Sequence, residues 1–258
     1  GRNKMDCINI LQEALKVKVL SCKKKLSLRN NVFYVETISG DGLIKPYIIK
    51  EHLHSSSGDE VFFLSTLKRY GLNVPEIFWH DSRFIIMQYI RGTLLTDLVA
   101  SLGGDQELWI IQLAHWLKKL HGFINSPSRV CLCKSDLNLR NFIFDGREFY
   151  GLDFEDVCFY PPERDLGGIC AFILNNDPMF EQWKYQICNS LIKAYEKAPV
   201  NSCFTELDRE TIWYYFIEEL KAAASRREKQ RDFLNAKIKE IIALQKTSAG
   251  SKDFLIGS

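Results

Sequence analysis

Hydrophobic and polar residues alternate in short runs along the first part of the chain, a pattern typical of β-strands. The runs are KVKVLSCKKKLSL, NNVFYVETI and IKPYIIKEH, followed by shorter ones around 76–79 and 84–89. The turn sequence SGDG separates the second run from the third and predicts a hairpin. Residues 5–16 have helical spacing instead, and SSSGDEVFFLSTLKRYG indicates a capped helix that ends at Gly71.

From Thr93 onward the hydrophobic spacing becomes helical. Residues 105–122 form a long amphipathic repeat, and FIFDGREFYGLDF predicts a second hairpin that turns at Asp145 and Gly146. After Pro162 the pattern is almost wholly helical up to the polar tail TSAGSKDFLIGS. A β-rich front and a helical back indicate the α+β class, with a domain at 1–90 and a second domain at 91–258.

Composition narrows the class of protein. Of 258 residues, 46% are hydrophobic, which is enough for a sizeable core. Lys and Arg total 34 against 32 for Asp and Glu, and this near balance argues against nucleic acid or an anionic membrane as partner. No apolar run approaches the length of a membrane span or a signal-peptide core. We therefore expect a cytoplasmic protein without a membrane span.

The cysteines are scattered rather than arranged as a disulfide framework, so buried thiols in a reducing compartment are expected. The only close pair has C-x-C spacing, with no second pair or nearby His to complete a zinc site. No metal role is predicted for them. The eight cysteines are Cys7, Cys22, Cys131, Cys133, Cys158, Cys170, Cys188 and Cys203.

The stretch CKSDLNLRNFIFDG suggests chemistry, because a carboxylate at Asp136 is followed five residues later by the amide of Asn141. Asp153 comes soon after, beyond the predicted hairpin. Phosphoryl transfer from ATP needs a carboxylate for the acceptor hydroxyl, oxygen ligands for Mg²⁺, and a cation on the phosphates. Lys50 on a predicted strand can supply the cation, and Glu60 on the next helix can align it.

Each of these residues also has an ordinary structural interpretation. Lys50 could be an exposed strand lysine, and Glu60 could favour its helix N-terminus electrostatically. Asp136 and Asn141 could form turns. Asp153 is harder to explain in this way, because a carboxylate at a strand end beside Phe154 needs a partner or a metal. The ordered set of five is much less expected by chance than any one member.

Several further segments extend the pattern. The chain resembles the kinase-like phosphotransferases of the aminoglycoside phosphotransferase and choline kinase group. NNVFYVET resembles the family's second strand, IIMQYIRG its hinge, LAHWLKKLHG its helix ending in Leu-His, and RDLG its later Asp-Leu motif. The match runs from about residue 17 to about residue 172. It implies a bilobal protein-kinase-like fold, with a small β-rich N-terminal lobe and a larger helical C-terminal lobe.

The resemblance also implies roles for individual residues, with ATP and Mg²⁺ as cofactors. Asp136 would be the catalytic base, and Asn141 and Asp153 would be the Mg²⁺ ligands. Lys50 would contact phosphate with Glu60 as its partner. The hinge backbone at Gln88 and Ile90 would receive adenine with Met87 behind it, and Asp165 would anchor the catalytic loop.

The chain departs from the family at the catalytic loop, where Lys134, Ser135 and Asp136 replace the usual His-Gly-Asp. A non-catalytic pseudokinase that binds nucleotide or a partner is therefore an alternative function. A protein kinase is disfavoured, because no Ala-Pro-Glu segment follows LDFED. Only residues 154–162 separate Asp153 from ERDLG, which is too few for a long activation loop.

The acceptor implied by the resemblance is a small molecule with a hydroxyl group, such as an aminoglycoside, an amino alcohol or a sugar. Acidic groups beside aromatic rings suit a cationic acceptor. The C-terminal helices offer such groups next to the aromatic run at 213–216. Glu155 and Asp156 are nearer to Asp153 by sequence and are the more favoured acceptor contacts. The helical acidic residues are Glu206, Asp208, Glu210, Glu218 and Glu219.

Overall fold

The computed structural model describes residues 2–101, 106–124, 128–199, 206–247 and 254–255. They fall into two compact units. The first comprises Gly1–Arg91 together with Leu152–Glu155, and the second comprises Gly92–Gly151 together with Asp156–Ser258. The first unit holds the larger sheet and the second holds most of the helices, so the predicted α+β class is confirmed.

Ten strands, eight α-helices and two short 3-10 helices, Leu139–Asn141 and Glu228–Gln230, make up the secondary structure of the described residues. None of these helices has both the length and the apolar composition needed to cross a membrane. The strands are β1 (Lys18–Lys25), β2 (Asn31–Ile38), β3 (Ile44–Glu51), β4 (Ile77–His80), β5 (Phe84–Gln88), β6 (Thr93–Leu94), β7 (Cys131–Cys133), β8 (Phe142–Phe144), β9 (Phe149–Gly151) and β10 (Cys158–Tyr160). The helices are α1 (Arg2–Leu15), α2 (Gly58–Tyr70), α3 (Leu95–Ala100), α4 (Gln106–His121), α5 (Glu163–Asn175), α6 (Gln182–Lys197), α7 (Arg209–Arg226) and α8 (Arg231–Thr247).

The first unit is built on a five-stranded antiparallel sheet in the order β1-β2-β3-β5-β4. The predicted hairpin joins β2 and β3, with Ile38 opposite Ile44. Burial along β2 alternates strictly, as expected for a strand with one face in a core. That face packs against α1, where Cys7 and Leu11 meet Phe33 of β2 and the apolar residues of β3 and β5.

Strand β3 places successive side chains on opposite faces of this sheet, because the side-chain period of a strand is two. Ile49 points into the core beneath α1, so Lys50 projects from the other face. Helix α2 begins seven residues after β3 ends, brings Glu60 into a buried position and ends at Gly71 as predicted. Gly71 has φ +92°, a left-handed conformation that glycine adopts without a steric penalty.

The second unit combines a three-stranded sheet, β6-β8-β9, with a separate ladder of β7 and β10 and six helices. The predicted hairpin turns at Asp145 and Gly146 and pairs Phe142 with Gly151. Gly151 lies against the indole of Trp116 on α4, where a Cβ atom would come within 2.1 Å of the ring. This contact fixes the end of β9 from which the chain continues to Asp153.

The chain's last described residues correct one sequence prediction, which treated the C-terminus as a polar tail. Phe254 and Leu255 are buried. The Phe254 ring lies 6.2 Å from that of Trp213 and 6.0 Å from that of Phe216. Asn189 holds the backbone of Leu255 at both ends, donating to its carbonyl at 2.7 Å and accepting from its N–H at 2.8 Å. The aromatic run of α7 therefore serves partly to pack this segment.

Candidate active site

A buried lysine surrounded by carboxylates is the centre of the site in the first unit. Lys50 is only 6% exposed. Its Nζ lies 2.9 Å from Glu60 Oε2, 3.2 Å from Asp153 Oδ1 and 2.5 Å from Glu155 Oε1. Burial alone would lower the pKa of Lys50, but the three carboxylates outweigh it and raise that pKa above its usual range. The raised pKa keeps Lys50 charged at neutral pH.

Residues that the sequence reasoning missed complete this cluster. His52 Nε2 lies 2.9 Å from Glu60 Oε2, and Asn30 donates a hydrogen bond to Glu155. The backbone N–H of Phe154 donates to Glu60 Oε1 at 3.4 Å. Glu60 thus orients both the lysine and the backbone next to Asp153. The only local signal was the K-x-H spacing, which places Lys50 and His52 on one side of an extended chain.

Asp153 has an unusual backbone conformation. Its φ is +60°, in the left-handed region that costs a non-glycine residue energy. Residues held in such conformations cluster at functional sites, where surrounding structure compensates for the strain. Its side chain is 38% exposed, against 15% for Glu155 and 2% for Glu60. Of the three carboxylates around Lys50, that of Asp153 is the most accessible to a ligand.

The predicted hinge residues follow one another at the end of β5. Met87 and Ile90 are buried. Gln88 pairs with Tyr47 in the sheet, and its N–H donates to the carbonyl of Glu76 at 2.8 Å. Because that N–H already has a hydrogen-bond partner, the backbone group of Gln88 expected to contact an adenine is its carbonyl oxygen, which could accept from the amino group.

The predicted catalytic loop lies in the second unit, between β7 and β8. Its start is anchored by Asp165 of α5, whose Oδ2 accepts the backbone N–H of Lys134 at 2.7 Å. The same oxygen lies 3.2 Å from Nε2 of His121, which is fully buried. Asp165 therefore has the anchoring position that the resemblance implied, and His121 packs at its helix end.

Asp136 and Asn141 occupy the loop that this anchor holds. Asp136 Oδ1 accepts the N–H of Asn138 at 3.1 Å, and the N–H of Asn141 donates to the carbonyl of Asn138 at 2.8 Å. Asp136 and Asn141 are both half-buried. Both residues thus take part in a turn, which is the structural role considered for them from the sequence. The side chain of each is also partly accessible. Just before them, Ser135 has φ +67°.

Most acidic residues proposed to attract a cationic acceptor have local partners instead. Glu155 pairs with Lys50. On α7, Asp208 caps the helix by accepting from the N–H of Glu210 at 3.2 Å, Glu218 pairs with Lys221, and Glu219 pairs with Arg226. These pairings give the prediction of a cationic acceptor no support.

A cleft of about 410 Å³ opens beside the loop within the second unit. Its charged lining residues are two arginines, Arg140 and Arg227, and one aspartate, Asp177. Arg227 is held by a hydrogen bond to the carbonyl of Asn175 at 3.2 Å. The remaining lining residues are Thr96, Asn138, Leu139, Phe172, Asn175, Asn176, Met179 and Gln230.

The fold of this chain also occurs in other proteins of known structure. No protein-family model matches the sequence, and no curated protein matches it either. Solved structures do match. The chain has the fold of the kinase-like phosphotransferases. The predicted protein-kinase-like fold is thus confirmed, and so is the resemblance to the aminoglycoside phosphotransferase and choline kinase group at the level of structure.

Three of these kinase-like structures illustrate the similarity. An amicoumacin kinase, solved in complex with AMP-PNP, Ca²⁺ and Ami, has a TM-score of 0.64 at 13% identity and covers 93% of this chain and 95% of its own. ADP-bound aminoglycoside phosphotransferase APH(2'')-Ib has a TM-score of 0.61 at 14% identity, covering 91% and 95%. An ethanolamine kinase from Plasmodium vivax has a TM-score of 0.58 at 14% identity, covering 78% and 73%.

Proposed function

We propose that this protein is an ATP- and Mg²⁺-dependent phosphotransferase that transfers the γ-phosphoryl group to a hydroxyl of a small molecule. The observation that carries the proposal is the cluster in the first unit of the buried Lys50 and Glu60 with the more accessible Asp153. An exposed strand lysine would need no such surroundings. A lysine held charged by a helix glutamate, next to a strained and accessible aspartate, fits a phosphate and metal site.

Each residue of the site has its own proposed role in phosphoryl transfer. Lys50 neutralises the α- and β-phosphates, with Glu60 fixing its position. The carbonyl of Gln88 and the N–H of Ile90 bind adenine, with Met87 behind the ring. Asp136 accepts the proton of the acceptor hydroxyl. Catalysis of this kind depends mainly on position and charge, and little on covalent chemistry by the protein.

The proposed metal ligands are Asn141 and Asp153. Mg²⁺ prefers carboxylate and amide oxygens together with water, and these two side chains supply such atoms. Asp153 also offers the most accessible of the three carboxylates around Lys50. When bound, Mg²⁺ would neutralise charge on the phosphates.

The cleft beside the catalytic loop is the proposed acceptor site. Its lining includes residues 138–140, which follow Asp136 directly on the loop. Two arginines against one aspartate favour an acceptor with an anionic group over a cationic one. This reverses the charge that the sequence suggested. The short segment between Asp153 and α5, which begins at Glu163, favours a small molecule over a protein acceptor.

The test combines an acceptor screen with a substitution of the base. A thermal-shift screen of anionic, neutral and cationic hydroxyl compounds, with Mg²⁺ and AMP-PNP present, identifies acceptors through ligand-linked stabilisation. ADP release and acceptor phosphorylation are then measured. Asp136→Asn should lower kcat by about a hundredfold or more, because the general base is lost, with nucleotide affinity nearly unchanged.

Asp145→Asn is the matched control. Asp145 also caps a turn through its side chain, accepting from the N–H groups of Arg147 and Glu148, but it lies at the tip of the β8–β9 hairpin. This variant should retain wild-type turnover. Normal turnover in Asp136→Asn would remove Asp136 as the base. Tight nucleotide binding without ADP release for any acceptor would instead favour the non-catalytic alternative.

A further inference from the structure

Three cysteines that are dispersed in the sequence share one face of the β7–β10 ladder. Cys131 and Cys133 are two residues apart on a strand, so their side chains point to the same side. Cys158 is the direct cross-strand partner of Cys133, and directly opposed residues also share a face. Cys131 and Cys133 are fully buried, and Cys158 packs against them.

The C-terminal end of helix α4 adds a histidine to this group. His121 is the last residue of α4 and is fully buried. One of its ring nitrogens and the sulfurs of Cys131 and Cys133 all lie within 4.8 Å of one another. Cys158 packs against the two cysteines of β7 from the position opposite Cys133. Two thiols and an imidazole therefore lie close together inside the second unit, and a third thiol packs beside them.

The spacing of the sulfurs agrees with a tetrahedral metal centre. Zn²⁺–thiolate bonds of about 2.3 Å in a tetrahedron place neighbouring sulfurs about 3.8 Å apart. Cys131 Sγ and Cys133 Sγ are 3.7 Å apart. The thiols also have an ordinary use as donors to backbone, since Cys131 donates to the carbonyl of Tyr160 at 3.2 Å. These hydrogen bonds to the backbone require neither a histidine nor a third cysteine on the same face. They therefore leave the presence of His121 and Cys158 unexplained.

The surroundings of His121 match those of metal-bound histidines. A ligating imidazole usually donates its other N–H to a carboxylate or a similar group, which fixes the ring and its tautomer. Nε2 of His121 lies 3.2 Å from Asp165 Oδ2, and Nδ1 lies 2.9 Å from the hydroxyl of Tyr195. Both nitrogens thus have hydrogen-bond partners in this structure, so a metal ion bound to Nδ1 would displace the Tyr195 hydroxyl and leave Asp165 to orient the ring.

We propose that Cys131, Cys133, Cys158 and His121 form a binding site for one thiophilic metal ion, with Zn²⁺ as the favoured occupant. Three cysteines and one histidine are a ligand set of structural zinc sites. Binding forms three Zn–S bonds and one Zn–N bond while three thiol protons pass to solvent, and no group changes oxidation state.

The site would stabilise the base of the catalytic loop. Cys133 directly precedes Lys134, where the loop begins, and His121 shares Asp165 with the backbone of Lys134. A metal ion joining β7, β10 and α4 would therefore hold the anchor of that loop. The role is structural, because the four ligands leave no open coordination position.

The experiment uses the full chain, freed of metal by a chelator under reducing conditions, and Co²⁺ as the spectroscopic probe. We expect one Co²⁺ per chain, with sulfur-to-cobalt charge-transfer absorption and the intense visible bands of tetrahedral Co²⁺. One equivalent of Zn²⁺ should remove these bands by displacement. Cys133→Ser and Cys158→Ser should each lose the tetrahedral spectrum at one equivalent.

Cys170→Ser is the matched control, because Cys170 is an equally buried cysteine of the same unit on α5. It should bind Co²⁺ like the wild type. Cys158 is only partly buried, so Cys158→Ser keeps the test valid if Cys133→Ser fails to fold. Circular dichroism of each variant checks folding. Absence of charge-transfer absorption in the folded wild type, or its persistence in folded Cys158→Ser, would overturn the proposal.

Discussion

Ser135 has a strained backbone conformation next to Asp136, the proposed catalytic base. Its φ of +67° lies in the left-handed region, which costs a residue with a Cβ about 1–2 kcal/mol. The related family usually has glycine at this position, next to the catalytic aspartate. In this chain Asp165 holds the backbone just before Ser135, by accepting the N–H of Lys134. The loop therefore retains its shape at some cost in stability.

Replacing Ser135 by glycine should recover part of that cost. We expect Ser135→Gly to be more favourable than the same change at Ser101 by about 1–2 kcal/mol of unfolding free energy. Ser101 has φ −123°, where a side chain is unstrained. Glycine there should only add flexibility to the unfolded chain. Urea unfolding of both variants measures the difference, and equal destabilisation in the two would show that Ser135 is not strained.

Helices α5 and α7 pack so closely that one position at their contact has to be glycine. A Cβ atom on Gly167 of α5 would come within 2.4 Å of the carbonyl oxygen of Ile212 and 2.7 Å of the amide nitrogen of Phe216. Both atoms belong to the backbone of α7 and cannot move aside as a flexible side chain could. The two helices approach this closely only because residue 167 is glycine. This approach lies two residues from Asp165, which anchors the proposed catalytic loop.

Gly167→Ala should therefore separate these helices and destabilise the protein by about 1–3 kcal/mol, the usual cost of overpacking a core. Gly40→Ala is the matched control, because a Cβ at Gly40 meets nothing within 4 Å. The control should be neutral or slightly stabilising. Denaturant unfolding midpoints compare the two. A Gly167→Ala variant as stable as Gly40→Ala would contradict the close contact.

At the scale of the whole molecule, the proposed function links ligand binding to stability. A ligand that binds only the folded chain stabilises it by about 2.7 kcal/mol at a hundred times its Kd. For a chain of this size, about 1 kcal/mol raises Tm by roughly 2 °C or more. Mg²⁺ with AMP-PNP at that excess should therefore raise Tm by about 5 °C.

The proposed contact of Lys50 with phosphate predicts how this stabilisation depends on the ligand. Lys50→Met should abolish most of the shift caused by AMP-PNP and leave the shift caused by adenosine nearly unchanged, because only the phosphates interact with the lysine charge. Lys45→Met is the control, since Lys45 lies on the same strand with its ammonium over the ring of Phe78. Equal loss of both shifts in Lys50→Met would show that Lys50 does not contact phosphate.

Local patterns were enough to predict most elements. Alternation identified β2, helical spacing identified α4, and the dipeptide Asp145 and Gly146 identified the hairpin of β8 and β9. The pairing of Lys50 with Glu60 was expected on other grounds, from the requirements of phosphoryl transfer and the family resemblance, and the structure has this ion pair. The strand, the helix and the hairpin depend on neighbours within a few residues. The spacing of hydrophobic residues along the sequence therefore predicts them.

Other features were decided by tertiary structure alone. Glu155 and Asn30 join the lysine cluster across 125 residues of sequence, and Asn189 holds Leu255 across 66. Cys131 and Cys133 lie close to His121 only in the folded chain, and Cys158 packs against them only because β10 pairs with β7. Such contacts have no sequence period, because they depend on which face of each element meets which neighbour. Spacing therefore argued against a metal site, whereas strand pairing places the four proposed ligands in one region of the second unit.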